Sequence, residues 1–192
     1  MSIRTRRERE RAEREQLIVT AARELAEAAG WDAVTTRRLA AEIEYSQPVL
    51  YSHFKGKGAI MAAVAVQGFA DLATDLRAAR EGTEGRRAAL TAVAEGYMSF
   101  ARRRPALYDA MFTRRVDLPF APPKAPAALR DAFGELFQVV EPIAMADDDA
   151  GILTETFWAG LHGLVTLMRG GRLPEHAQEA RLALLVGHFM TP

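Results

Sequence analysis

The stretch "GWDAVTTRRLAAEIEYSQPVLYSHFKGKGAI", Gly30 to Ile60, decides the fold of this chain. Gly30 stops the helix before it, because only glycine takes the left-handed conformation past a helix end without penalty. Trp31 and Val34 flank that exit and are expected to pack back onto a bundle. Thr35 or Thr36 offers an N-cap, and a helix is predicted through Arg37, Leu39, Ala40 and Ala41 to Ile43. Leu39, Ala40 and Ile43 face inward. After a break at Glu44 and Tyr45, Ser46 is a second N-cap candidate. Gln47-Pro48 opens the next helix, proline being tolerated in a first turn, with Val49, Leu50 and Phe54 as inward positions. Two short helices joined by a tight turn, after a longer supporting helix, make a three-helix helix-turn-helix unit.

The supporting helix lies upstream. From Glu15 to Ala29 the apolar residues Leu17, Ile18, Ala21, Ala22, Leu25, Ala26 and Ala29 keep the spacing of an amphipathic helix. Before it, residues 1–14 hold six arginines (Arg4, Arg6, Arg7, Arg9, Arg11, Arg14) against Glu8, Glu10 and Glu13. That basic arm suits phosphate contact, since neutralised phosphates release counterions; a solubilising, frayed helix start is the plainer alternative.

Downstream, Gly56 and Gly58 mark a junction, and helices are predicted at 59–80, 86–103, 105–112, 127–144, 150–168 and 174–189. Pro119, Pro122, Pro123 and Pro126 make 117–126 an exposed loop. Asp147, Asp148 and Asp149 precede an apolar helix, where capping and the helix dipole explain them better than a metal. Helix formers dominate and bounded β-branched runs are nearly absent, so the fold class is all-α, with about nine helices. The reader is expected at 1–58, and a regulatory domain at 59–192.

The chain contains no cysteine, which excludes disulfides, thiolate zinc sites and a cysteine nucleophile. The four histidines (His53, His162, His176, His188) show no zinc-protease spacing, and no Gly-rich phosphate loop or nucleophile elbow occurs. Catalysis, metals and cofactors are therefore not expected. The N-terminus is charged, unlike a secretory signal, and no run of about 18 apolar residues, as spanning a bilayer would need, is read in the chain. A soluble, cytoplasmic protein with no membrane partner is expected.

The Gly30–Ile60 stretch resembles the DNA-binding signature of the TetR family: glycine-aromatic, threonine at a helix start, leucine-alanine, serine, leucine-tyrosine, histidine-phenylalanine, then lysine. With the first helix, the resemblance covers residues 15–62. "YMSFARRRPALYDAMF" (Tyr97 to Phe112) and "WAGLHGL" (Trp158 to Leu164) are similar to the regulatory domain of the subgroup carrying Trp-x3-His-Gly, here Trp158, His162 and Gly163. Three positions depart from the family. Glu44 stands where glycine is usual in the turn, Tyr45 where valine or isoleucine is usual, and Gly58 where glutamate commonly follows the lysine. Glu44 implies either a turn that avoids positive φ or one that carries strain.

The resemblance implies a homodimeric regulator, most simply a repressor, that binds a palindromic operator in double-stranded DNA and is released by a small apolar or amphipathic effector. The alternative is an activator or architectural binder without an effector. The first residues of a recognition helix meet base edges, here Ser46, Gln47 and Pro48. Gln47 suits bidentate pairing with adenine. Tyr51 and His53 match positions that contact phosphate and sugar or thymine methyls. Lys57, Thr36 and Arg37 are placed to grip phosphates.

Small residues Ala159, Gly160 and Gly163 interleave the apolar helix at 150–168. A face so apolar is either a central core helix or a dimer interface; the resemblance implies a four-helix dimer interface, expected at Phe157, Leu161, Leu164, Val165, Met168, Leu182, Leu185 and Phe189, with intramolecular core as the alternative. Tyr97, Phe100, Tyr108, Met111, Phe112, Phe133, Phe137, Trp158 and His162 are core by default and, as a group, candidates to line an effector pocket.

Overall fold

The computed structural model describes residues 3–120 and 123–191, and every regular element among them is helical. Ala121 and Pro122 of the expected proline-rich loop lie outside the described residues. So do Met1, Ser2 and the Arg4 side chain of the basic arm.

Helix α1 runs Ile3–Ala29, so the arm continues the helix rather than preceding it. The reason is local: arginine and glutamate are good helix formers, and Arg6–Glu10 and Arg11–Glu15 pair at 2.8 Å one turn apart. Gly30 has the expected positive φ of 76°, but its ψ of 161° is extended, not left-handed helical. The chain therefore leaves α1 directly into a 3-10 turn, Trp31–Ala33. Helices α2 (Thr36–Glu42) and α3 (Gln47–His53) follow, then α4 (Lys57–Glu81).

The chain forms two compact units. The first joins Met1–Gly68 to Arg104–Pro126, a division that differs from the boundary expected at residue 58. Its core holds Ile18, Ala22, Trp31, Val34, Leu39, Leu50, Ile60 and Val64, with Leu107 and Met111 from the later segment. That segment carries α6 (Pro105–Tyr108), which widens into a π turn at Asp109–Thr113. Glu27 of α1 caps it, accepting from the Ala106 and Leu107 N–H groups at 3.1 and 2.9 Å. Gly68 permits the close approach of α6 to α4: a Cβ there would lie 2.6 Å from Met111 Sδ and 2.9 Å from Leu107 Cδ1.

The second unit comprises Phe69–Arg103 and Ala127–Pro192. It holds the C-terminal half of α4 with α5 (Arg86–Arg103), α7 (Ala127–Val140), α8 (Ala150–Arg169) and α9 (Gln178–Phe189). Helix α7 stops at Val140, short of the expected Ala144, because Pro142 lacks an N–H and turns the chain into a 3-10 turn. Another 3-10 turn, Glu175–Ala177, separates Pro174 from α9. Asp149 caps α8 as expected, accepting from Gly151 N at 2.8 Å and Ile152 N at 3.1 Å.

The core of this unit is Leu90, Tyr97, Phe100, Leu136, Val140, Phe157, Leu161, Val165, Leu182 and Val186. Each such aliphatic or aromatic side chain contributes about 1.5–3 kcal/mol on burial. Phe157, Leu161, Val165 and Leu182, expected at a dimer interface, are no more than 4% exposed and belong to this core. The periodicity that marked them reports burial, and the protomer's own helices supply it. Phe157 meets Phe189 edge-on at 5.0 Å. Glu135 is buried and held by two guanidinium groups, Arg77 Nε at 2.7 Å and Arg80 Nε at 3.1 Å. A buried carboxylate without such partners would be strongly destabilising.

Part of α4 is apolar enough, over 18 residues, to span a bilayer by composition. Its Ile60, Val64, Phe69, Leu72 and Leu76 are buried within the protein instead.

Candidate nucleic-acid interface

Helix α2 begins at an N-cap made by Thr35, whose hydroxyl accepts from Arg38 N at 3.1 Å. Leu39 and Ala40 anchor it to the core. The turn to α3 passes through Glu44 at φ 56°, so this residue takes the left-handed conformation that glycine would enter freely. A Tyr45 N–H to Ala40 carbonyl bond of 2.8 Å closes the turn. Ser46 sits at the N-cap of α3 with extended backbone but makes no side-chain cap bond.

Helix α3 holds to the unit by one fully buried side chain, Leu50. Ser46, Gln47, Pro48, Tyr51 and Ser52 are exposed. Val49 is expected inside, yet it is 38% exposed, because the seven-residue helix turns its Leu50 and His53 side chains inward and leaves Val49 on the outer side. Tyr51 is 53% exposed, and its hydroxyl lies 3.4 Å from Thr36 Oγ1. The start of α2 and the middle of α3 thus form one surface, with Arg37 and Arg38 exposed beside it. Arg38 and Lys55 are also exposed in or beside these helices and add to this surface, as does Val49. Their only signal in the sequence is a basic residue next to Arg37, since exposure of Val49 depends on how α3 is seated.

Two expected contacts are engaged elsewhere. His53 turns toward α1: its side chain is 7% exposed and its Nδ1 faces Glu15 at 3.4 Å, so this ring nitrogen is engaged inside the unit. Burial, the largest single influence on Glu15, raises its pKa, but hydrogen bonds from Arg11 and His53 outweigh it and hold the carboxyl below its usual range. Lys57 donates to the Trp31 carbonyl. An ammonium has three donors, so two remain available.

The nine candidate pocket residues are divided between the units: Tyr108, Met111 and Phe112 belong to the first and the other six to the second. Tyr108 is buried and its ring lies 4.8 Å from Phe112. In the second unit Tyr97 and Phe100 are fully buried, while Phe133, Phe137, Trp158 and His162 are half-buried. The Trp158 indole donates to the Tyr97 hydroxyl at 3.0 Å. His162 lies one turn from Trp158, ring centroids 6.1 Å apart, and its burial lowers its pKa. A separate cleft of about 320 Å³ opens near the end of α9, lined by Met145, Leu153 and Phe189 with Arg86, Asp148 and His188 at polar points.

The family model described as bacterial regulatory proteins of the TetR family matches residues 18–64, and the tetracyclin repressor-like C-terminal domain matches residues 90–189. An uncharacterized HTH-type transcriptional regulator of Mycobacterium tuberculosis is 31% identical over 142 residues. That match covers 74% of this chain and 64% of the relative, so the chain spans less than two thirds of the relative's length. Among solved structures, a protein of unknown function from Rhodococcus sp. RHA1 is similar at 25% identity and a TM-score of 0.73, with 92% and 93% of the two chains covered. BioQ, solved with its double-stranded DNA operator, shares the fold at 20% identity and a TM-score of 0.66, with 92% and 97% covered.

Proposed function

Because the chain belongs to the TetR family of bacterial transcriptional regulators, with a helix-turn-helix DNA-binding domain, we propose that it is a cytoplasmic homodimeric repressor released from a palindromic operator by a small apolar or amphipathic effector. The observation that carries this reading is the seating of α3. Leu50 and the His53 side chain fix the helix, and Ser46, Gln47, Pro48 and Tyr51 are left exposed as one edge with Thr36 and Arg37. A fold that needed those side chains for its own stability would not leave them in solvent. BioQ, with the same fold, was solved on operator DNA.

In this reading residues 1–58 read DNA and 59–192 dimerise and sense. Gln47 pairs with adenine, Val49 and Tyr51 meet thymine methyls or the sugar-phosphate backbone, and Arg37, Thr36 and Lys57 hold phosphates. The dimer surface is the outer side of α8 and α9. Ile152 and Leu184 are 62% and 65% exposed, Leu167 is exposed, and Leu164, Met168, Leu185 and Phe189 are partly so. Gly160 meanwhile admits Leu185 at close range, where an added Cβ would come within 3.1 Å, so α8 and α9 present one continuous face. Two-fold pairing of such faces gives two readers and hence a palindromic site.

Effector release is a linkage: the effector lowers DNA affinity only by preferring the conformation that does not bind. A regulator without an effector is the second reading. The full burial of Tyr97 and Phe100 and the use of the Tyr97 hydroxyl by Trp158 favour it.

Selection from random duplex DNA, followed by challenge of the bound complex with a panel of apolar and amphipathic compounds, tests both parts. An enriched near-palindrome released saturably by one compound class supports the repressor. Enrichment without release favours the second reading. No enriched site removes the operator-reading function.

A further inference from the structure

Helix α1 does not end where the reader ends. It passes the last residue of α3 at the Glu15–His53 contact and continues to Ile3. Arg7 lies eight residues beyond Glu15, about 12 Å further along the axis at 1.5 Å per residue. Among the described side chains before Glu15 none is buried, and Arg7, Arg11 and Arg14 are exposed.

Their placement around the helix is not random. At 3.6 residues per turn, Arg7, Arg11 and Arg14 fall within an arc of about 80°. That arc also contains Ile18, Ala22 and Leu25, the buried residues by which α1 packs into the unit where α2 and α3 also pack against it. The side of α1 that is apolar inside the reader therefore becomes an arginine stripe once the helix leaves it. Glu8 and Glu10 flank the stripe at about 80° on either side, and Glu13 lies at the back. Arg11 is paired with Glu15, and Glu10 with Arg6. Among the described residues no ion pair is formed by Arg7 or Arg14.

Resting on the reading of α3 as the operator-reading helix, we propose that the α1 stripe of Arg7, Arg11 and Arg14 is a second DNA-binding surface, which grips backbone phosphates of the duplex flanking each half-site. A helix projecting past α3 with its cations on the reader's side carries the positive interface outward along the duplex. Its reach of about 12 Å corresponds to roughly four base pairs at 3.4 Å each. Phosphate contact brings no sequence preference, so the stripe adds affinity and salt dependence and leaves base specificity to α3. The Arg11–Glu15 pair is screened and exposed, and a phosphate replaces the carboxylate at little cost.

The test uses the full chain and the site selected for it. Affinity is measured across a salt series on a duplex ending at the half-sites and on one extended by about eight base pairs at each end. The comparison variant carries Arg7→Ala, Arg11→Ala and Arg14→Ala together, with the Arg→Lys triple variant as a control for charge. Wild type is expected to bind the extended duplex about tenfold or more tightly, with a salt slope steeper by about 0.9 per added phosphate. The alanine variant should lose that gain, keep its affinity for the short duplex and its selected sequence, and unfold at the wild-type temperature. The lysine variant should recover most of the gain. Equal loss on both duplexes, or no gain for wild type on the extended one, overturns the stripe while leaving the α3 reader standing. Failure to enrich any site removes the reader, and the stripe with it.

Discussion

The indole Nε1 of Trp31 donates to the Ala106 carbonyl at 2.7 Å, a buried bond between residues 75 apart in sequence. Glu27 takes the N–H of the same Ala106 and that of Leu107, so α6 is held at one point by its donors and its acceptor together. Trp31→Phe leaves the Ala106 carbonyl without this partner and should cost about 1–3 kcal/mol; Glu27→Ala, which uncaps α6, should cost about 0.5–2. Urea unfolding measures both. Wild-type stability in either variant would show that the latch is dispensable.

Glu44 occupies φ 56°. A non-glycine residue in that conformation costs about 1–2 kcal/mol, offset in part by the greater unfolded entropy of glycine. Glu44→Gly should therefore raise the unfolding midpoint, corresponding to up to about 1 kcal/mol of added stability. An unchanged or lower midpoint would mean that the Glu44 side chain contributes something the backbone geometry does not reveal.

Gln47 and Lys57 separate two kinds of readout. Gln47 is exposed and holds nothing together, so Gln47→Ala should leave stability within about 0.5 kcal/mol and relax base preference at one position of each half-site. Lys57 bonds to the Trp31 carbonyl, so Lys57→Ala should both weaken DNA binding on every sequence and lower the unfolding midpoint. Site selection and thermal unfolding on the same preparations distinguish them. A sequence-dependent loss for Lys57→Ala would contradict a phosphate role.

Burial depresses His162, so its folded pKa lies below the unfolded value of about 6.5. The unfolded chain then binds the proton first. Stability contributed by the neutral imidazole is complete above about pH 6.5 and falls as pH drops through the folded value. His162→Gln should flatten this part of the stability–pH curve. An identical curve for variant and wild type would assign the acid sensitivity to other groups.

Leu184 is 65% exposed on α9, whereas Phe157 is fully buried on α8. Leu184→Glu should shift the sedimentation coefficient toward a monomer with little change in helicity. Phe157→Ala should instead cost about 3–5 kcal/mol by opening a cavity. A dimer undisturbed by Leu184→Glu would place the interface on another face.

Much was legible in the chain because it depends on short-range rules. The all-α class, the helix starts at Thr35 and Asp149 and the stop at Gly30 follow from capping chemistry and periodicity spanning a few residues. The candidate DNA face followed from its place on α3, and most of it is exposed. Val49, His53 and the burial of four of the eight expected dimer positions were not legible, because periodicity marks a side chain as apolar or inward without saying which neighbour covers it. Phe157, Leu161, Val165 and Leu182 show this plainly: their spacing marks an inward face, and the side chains that cover them lie inside the same chain.

The helices and the order in which they follow one another were determined by the sequence through local backbone preference and periodicity. Tertiary structure alone decided that Arg104–Pro126 joins the first unit, that His53 turns to Glu15 and that Lys57 bonds to Trp31. Those outcomes depend on residues tens of positions apart meeting in space, where burial and unsatisfied hydrogen bonds select one partner among many.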